Sequence, residues 1–176
     1  SAILSLKNVS GRPAGSLTLR ISPLAEISSV KINDANADFA KSEEKVGAAG
    51  SLQRIAMRFP AVSPDATISA VVEYKLNVKE NSSLSMISPI GTQFFLLSFW
   101  YPTPTSWFFN RGGDSAPYRI RVNGSGQMVL TSGTDTNGGF DLKVNGQPYF
   151  VAGNWDMVNS NGVAVYGPKS ASADAQ

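Results

Sequence analysis

Carboxylates are the natural first place to look for chemistry in this chain, because the side chains that usually do it are missing. The sequence contains no histidine and no cysteine. Those two absences remove the Ser–His–Asp triad, the imidazole base, thiolate chemistry, disulfides and the usual imidazole- or thiolate-ligated metal sites. Paired acids can hydrolyse glycosides without imidazole, and Asp114, Asp141 and Asp156 are the candidates for such a pair. Asp141, however, falls on the polar side of an alternating run, and Asp114 follows Gly112-Gly113 in a loop. Asp135-Thr136-Asn137-Gly138-Gly139 has the start of a calcium loop but lacks the later ligands and terminal glutamate that calcium needs. A hairpin turn explains it better. No glycine-rich phosphate loop opens a helix. The residues therefore offer no catalytic group and no metal ligands.

Binding chemistry has a stronger candidate. Phe94, Phe95, Phe99, Trp100, Tyr101, Trp107, Phe108 and Phe109 fall in one stretch interrupted by Pro102 and Pro104. One reading makes Phe94 to Trp100 a strand buried on both faces, with the rest a loop packed on the sheet. The other makes Trp100, Tyr101, Trp107, Phe108 and Phe109 a ligand platform or domain-docking surface, since aromatics give large contact area at low entropic cost. Trp100, Trp107 and Trp155 would serve a carbohydrate- or protein-binding module.

The elements that must position these residues are strands. Leu17, Leu19 and Ile21 alternate with polar residues, as do Ile68, Ala70, Val72, Tyr74, Leu76 and Val78. Val30/Ile32, Ile55/Met57/Phe59, Tyr118/Ile120/Val122 and Phe140/Leu142/Val144 repeat the period of two. Asn123-Gly124, Asn137-Gly138, Asn145-Gly146 and Asn161-Gly162 are tight-hairpin signals, so the C-terminal third reads as a meander of short antiparallel strands. Asp34 to Lys45 is the best helical candidate in a chain with no clear 3.6-residue stripe. The expected fold is all-β, a large twisted antiparallel saddle or sandwich with little helix. Residues 1–169 read as one β domain, and 170–176 as a polar tail or the start of a linker to a following catalytic domain. The chain's 176 residues suffice for a core without staples.

Charge says little about partners. Fifteen basic and thirteen acidic residues are spread along the chain, with no run suited to nucleic acid. The apolar stretch from Phe94 to Tyr101 is far short of the ~20 residues of a membrane helix. Asn8, Asn81 and Asn123 head glycosylation-type triplets that arise too often by chance to fix a compartment.

Several strings, in order, resemble one family. Phe99-Trp100-Tyr101-Pro102 and the run from Phe109 to Val122 (FNRGGDSAPYRIRV) look like part of the N-terminal domain of zinc aminopeptidases of the alanyl/puromycin-sensitive type, in their bacterial membrane-aminopeptidase-like branch. Leu17 to Asn33, Val71 to Val78, Tyr149 to Asp156 and Val163 to Tyr166 resemble further strands of that domain. The resemblance implies a twisted β-saddle that packs on a catalytic domain of the same polypeptide and helps bound the cleft for peptide substrates. Zinc would then sit in that absent domain, on HExxH plus a distant glutamate, and this chain would carry no cofactor. It also implies a pocket role for Gln93, placed as a glutamine of the family before the "fP" element though at a shorter spacing to Pro102; an ordinary strand position explains Gln93 better. Pro102-Thr103-Pro104 departs from the family by standing where an acidic pair would be. The compartment stays open, with a lean toward a bacterial extracytoplasmic or membrane-associated setting.

Overall fold

The computed structural model describes residues 1–45, 50–95, 98–104, 115–123 and 126–168. Among them there is no α-helix, and antiparallel strands carry the fold. No helix of the described residues is long and apolar enough to cross a membrane. The chain divides into two compact units. One comprises Ser1–Asn77 and the stretch beginning at Phe99; the other comprises Val78–Ser98 and the stretch beginning at Ser115.

The first unit is a sandwich of two sheets. β1 (Ala2–Lys7), β3 (Ala25–Ile32), β4 (Ala35–Asn36) and β7 (Thr67–Leu76) form a sheet in the order β1-β7-β3-β4. β2 (Ala14–Ile21), β5 (Phe39–Lys45) and β6 (Ser51–Val62) form the other, in the order β2-β6-β5. Their facing sides make one core from Leu19, Ile21, Ile55 and Met57 against Ala25, Ile27, Val30, Ile32, Ile68, Ala70 and Val72. The period-two reading of these strands therefore holds, with one informative break. In β3 the apolar residues step from Ile27 to Val30, three positions apart, which strict alternation would turn to opposite faces. The register against β7 shifts between Ile27 and Ser29, and this bulge returns Val30 and Ile32 to the core. Ser28 donates its hydroxyl to the Glu73 carbonyl at 3.1 Å.

Asp34 to Lys45 is not helical. Asn33 and Asp34 take φ of 48° and 67°, making a two-residue hairpin that pairs Ile32 with Ala35. The Asn33 amide oxygen accepts from Ser69 N–H at 2.9 Å, and Asn33 N–H donates to the Ser69 carbonyl at 2.9 Å. β5 then pairs along β6 from Phe39↔Met57 to Lys45↔Ser51. Pairing along an existing strand outweighs the mild helix preference of its Ala, Lys and Glu residues.

Nor is Phe94 to Trp100 one strand. The strand stops at Phe94, and Phe99 turns back with φ 50°. Phe99 is buried, and its carbonyl accepts from Ser22 N–H at 2.9 Å. Thr103 and Arg20 exchange two backbone hydrogen bonds of 2.8 Å, so the segment lies on the free edge of β2. The Arg20 guanidinium reaches Glu44 at 2.9 Å and the Pro104 carbonyl at 3.3 Å. Asn8 is equally committed: its side chain bonds the Arg12, Val62 and Ser63 carbonyls and accepts from Ser10.

In the second unit β8 (Ser85–Ser88), β9 (Gly91–Phe94), β11 (Met128–Leu130) and β14 (Phe150–Gly153) form a sheet ordered β11-β14-β9-β8. β10 (Ala116–Ile120), β12 (Thr134–Thr136) and β13 (Gly139–Gly146) form a second, ordered β10-β13-β12, and β15 (Trp155–Ser160) pairs only with β16 (Val163–Pro168). Asn137-Gly138 and Asn161-Gly162 are hairpin turns as expected. Asn145-Gly146 is not; it lies inside β13, where Gly146 pairs with Ala116. The expected meander is likewise replaced by interleaved pairing, because β10 pairs β13 while β11 pairs β14. Val144 is 66% exposed, so alternation along β13 does not bury its third apolar residue.

Candidate functional site

The four-stranded sheet of the second unit sets different residues on its two faces. On one face Phe94 and Ala152 are buried, and Phe94 stacks on Phe150 with ring centres 6.5 Å apart. Side chains alternate, so Gly91 and Gln93 project to the other face. The register sets Gly91 opposite Gly153 and Gln93 opposite Val151, with Met86 of β8 on Gln93's far side. This face carries Met86, Gln93, Val151 and Leu130 in one row, followed by a patch bare of side chains at Gly91 and Gly153.

The Trp155 indole fills that bare patch. A Cβ built on Gly153 would overlap the ring; one on Gly91 would meet the Ala152 carbonyl first, at 2.7 Å, and the ring at 3.3 Å. Glycine inside a strand weakens it unless something must approach closely; here the indole does. Gln93 and Gly91 are two residues apart on one strand, about 7 Å by strand rise. An amide and an indole thus share one face of the sheet about two strand positions apart, both half-buried. Gln93 Nε2 donates to the Ser83 carbonyl at 3.1 Å. That partner fixes which amide atom is nitrogen and gives Oε1 the acceptor role.

Sequence reasoning named Gln93 and Trp155 separately and for different purposes; the structure puts them together. It misses the floor, although glycines within apolar strand segments at 91 and 153 are the signal that could have revealed it. Trp100 and Tyr101 belong to the first unit. Both are half-buried, their rings meet edge to face at 5.3 Å, and the Trp100 carbonyl accepts from the Tyr74 hydroxyl at 2.9 Å. Burial first, and then the charge of Glu73, push the Tyr74 phenol up to about 12. Trp107, Phe108, Phe109, Asp114 and the tail 170–176 lie outside the described residues.

Among the described residues the acids give no catalytic pair. Asp141 is forked by Arg119, whose hydrogen bond holds the carboxyl below its usual range; the partner keeps it ionised and unsuited to donate a proton. Asp135 pairs with Phe140 in the β12–β13 hairpin, and Thr136 Oγ1 donates to the Gly139 carbonyl at 3.0 Å, so the suspected calcium loop is a turn. Zinc does not fit this chain. There is no imidazole or thiol to hold it, and among the described residues no three acids gather.

Solved structures share this fold. The chain matches an M1 zinc metallopeptidase from Deinococcus radiodurans, solved as a mutant bound to Tyr-Ser-Ala substrate, at TM-score 0.58 and 14% identity over 93% of this chain and 41% of that one. The fold is one found in M1 zinc metallopeptidases. Native leukotriene A4 hydrolase from Saccharomyces cerevisiae matches at TM-score 0.63 and 15% identity, over 99% of this chain and 29% of that chain. The yeast hydrolase in complex with bestatin matches at 0.58 and 18%, over 91% and 27%. This chain therefore spans 27 to 41% of the length of these proteins. At such identities the likeness is one of fold. No protein-family model matches the sequence, and no curated protein does.

Proposed function

We propose that this chain is the non-catalytic N-terminal domain of a zinc metallo-aminopeptidase of the alanyl/puromycin-sensitive type, packed on a catalytic domain of the same polypeptide. The observation that carries the reading is the fold likeness over nearly the whole chain to part of each M1 enzyme. The absence of imidazole and thiol agrees with it, since zinc and its chemistry then belong to the larger remainder. In this reading the Gln93–Trp155 face borders the substrate cleft. Gln93 Oε1 accepts a hydrogen bond from the substrate's α-ammonium, and the indole packs beside the first side chain.

The test is kinetic and uses the longer protein. Gln93→Ala should raise KM for an aminoacyl substrate roughly tenfold, the size expected for one hydrogen bond to a charged group, with kcat within about twofold. An unchanged KM would remove the pocket role. A longer protein that hydrolyses no aminoacyl substrate would remove the function itself.

A second reading is favoured by the same face. An indole beside an amide is also sugar-binding chemistry, so the chain could be a free-standing carbohydrate-binding module. Titration with oligosaccharides while following tryptophan emission separates the two, because the peptidase reading expects no shift.

A further inference from the structure

The first unit carries a groove that the proposed function does not use. β5 pairs with β6 only as far as Phe39↔Met57, while β6 runs on to Val62 beside β2. Among the described residues nothing pairs with β6 beyond Met57 on the β5 side. A groove of about 930 Å³ is lined from this end of β6 and from the β4–β5 connection. Its walls include Leu17, Phe39 and Phe59, which pack against the core yet stay half-buried. Side chains alternate along β6, so Phe59 lines the groove from one face and Arg58 from the other. On the arginine side Arg54 and Arg58 flank Ala56, whose strand neighbours are Thr18 and Ala40. Nothing longer than threonine rises between the two guanidinium stems.

Three arginines share that face, and their states differ. Arg20 on β2 reaches Glu44 on β5 at 2.9 Å and is neutralised. Arg54 and Arg58 are exposed and make no ion pair or side-chain hydrogen bond with any described residue. Asp38, the one acid in the lining, pairs with neither. Four strand positions separate the two free arginines, about 13 Å by strand rise.

We infer that this groove binds an extended peptide segment in which acidic and apolar residues alternate, its carboxylates meeting Arg54 and Arg58. The surface lies wholly within the first unit, so the inference stands apart from the function proposed above. The occupant follows from charge and shape. A guanidinium fork matches a carboxylate or a phosphate. A nucleic-acid strand carries a charge roughly every 3.4 Å, and this groove would answer it with two cations and an opposing acid. An extended peptide sets acids four residues apart at the arginines' own spacing. It also turns alternate side chains to opposite sides, so its apolar residues meet the Phe39 and Phe59 wall. The groove is of ligand-pocket size, which suits several residues rather than a single small anion.

An NMR titration of the 176-residue chain at low salt tests it, with a capped peptide of about seven residues in which valine and glutamate alternate. The amides of Ala40, Ala56 and Phe59 should shift saturably. Arg54→Gln and Arg58→Gln should each weaken binding about tenfold, the size of one hydrogen bond to a charged group. Neither should move the thermal midpoint, since neither guanidinium has a partner in the fold. Arg12→Gln removes an exposed arginine of the same unit outside the groove and should leave binding unchanged. Absence of a saturable shift would overturn the inference. So would equal binding of the peptide with glutamine in place of glutamate, or a loss in Arg12→Gln as large as that in Arg58→Gln. Polyphosphate that shifts these amides where the peptide does not would make a polyanion the occupant, and would equally overturn it.

Discussion

Tyr74 joins the core of the first unit to the aromatic segment after Phe99. Its ring packs against the buried cluster and its hydroxyl donates to the Trp100 carbonyl. Its raised pKa makes the contact sensitive to alkali. The neutral phenol is favoured in the folded state, so its contribution is complete below pH 10 and is lost as pH climbs through 10 towards 12. Tyr74→Phe should cost about 1 kcal/mol near neutrality, the worth of one hydrogen bond. Unfolding free energies of the two proteins should then converge, and finally cross, between pH 10 and 12. Parallel curves through that window would show that the hydroxyl is not held as described. Gln93 belongs to the same scale. Its amide was visible in the sequence as a strand residue ahead of Trp100 and Pro102, but nothing local announced that Trp155, more than sixty positions on, would lie beside it. Only the pairing of Gly91 with Gly153 brings them together.

At the scale of elements, alternation was the reliable signal and turn composition the uneven one. The step from Ile27 to Val30 already encodes a bulge, because no unbroken strand buries both. Asp34 to Lys45 misleads because its residues favour helix locally while β6 offers a full line of backbone partners, which a local reading does not include. The hairpin at Asn33-Asp34 has a simple test. If Asp34 holds φ 67°, Asp34→Gly should leave the protein more stable than Asp34→Val by about 1–2 kcal/mol, since β-branched residues resist that conformation. A helical segment would give the reverse order, with Gly the costlier residue. Asn145-Gly146 shows that a dipeptide suited to a turn stays in a strand when Ala116 pairs with Gly146. Pairing with a partner strand, invisible to composition, decided each of these cases.

For the whole molecule, the all-β class was legible from period two, frequent turn dipeptides and missing helical stripes. The interleaved pairing of β10 with β13 and β11 with β14 was not, because sequence order favours neighbours. The proposed function puts the chemistry outside these 176 residues. It is tested most directly by metal content and hydrolysis measured in parallel on this chain and on the longer protein. The longer protein is expected to hold one equivalent of zinc and to release N-terminal residues from peptides in a chelator-sensitive reaction, and the 176-residue chain to do neither. Stoichiometric zinc in the short chain, or peptide hydrolysis by it, would overturn that placement.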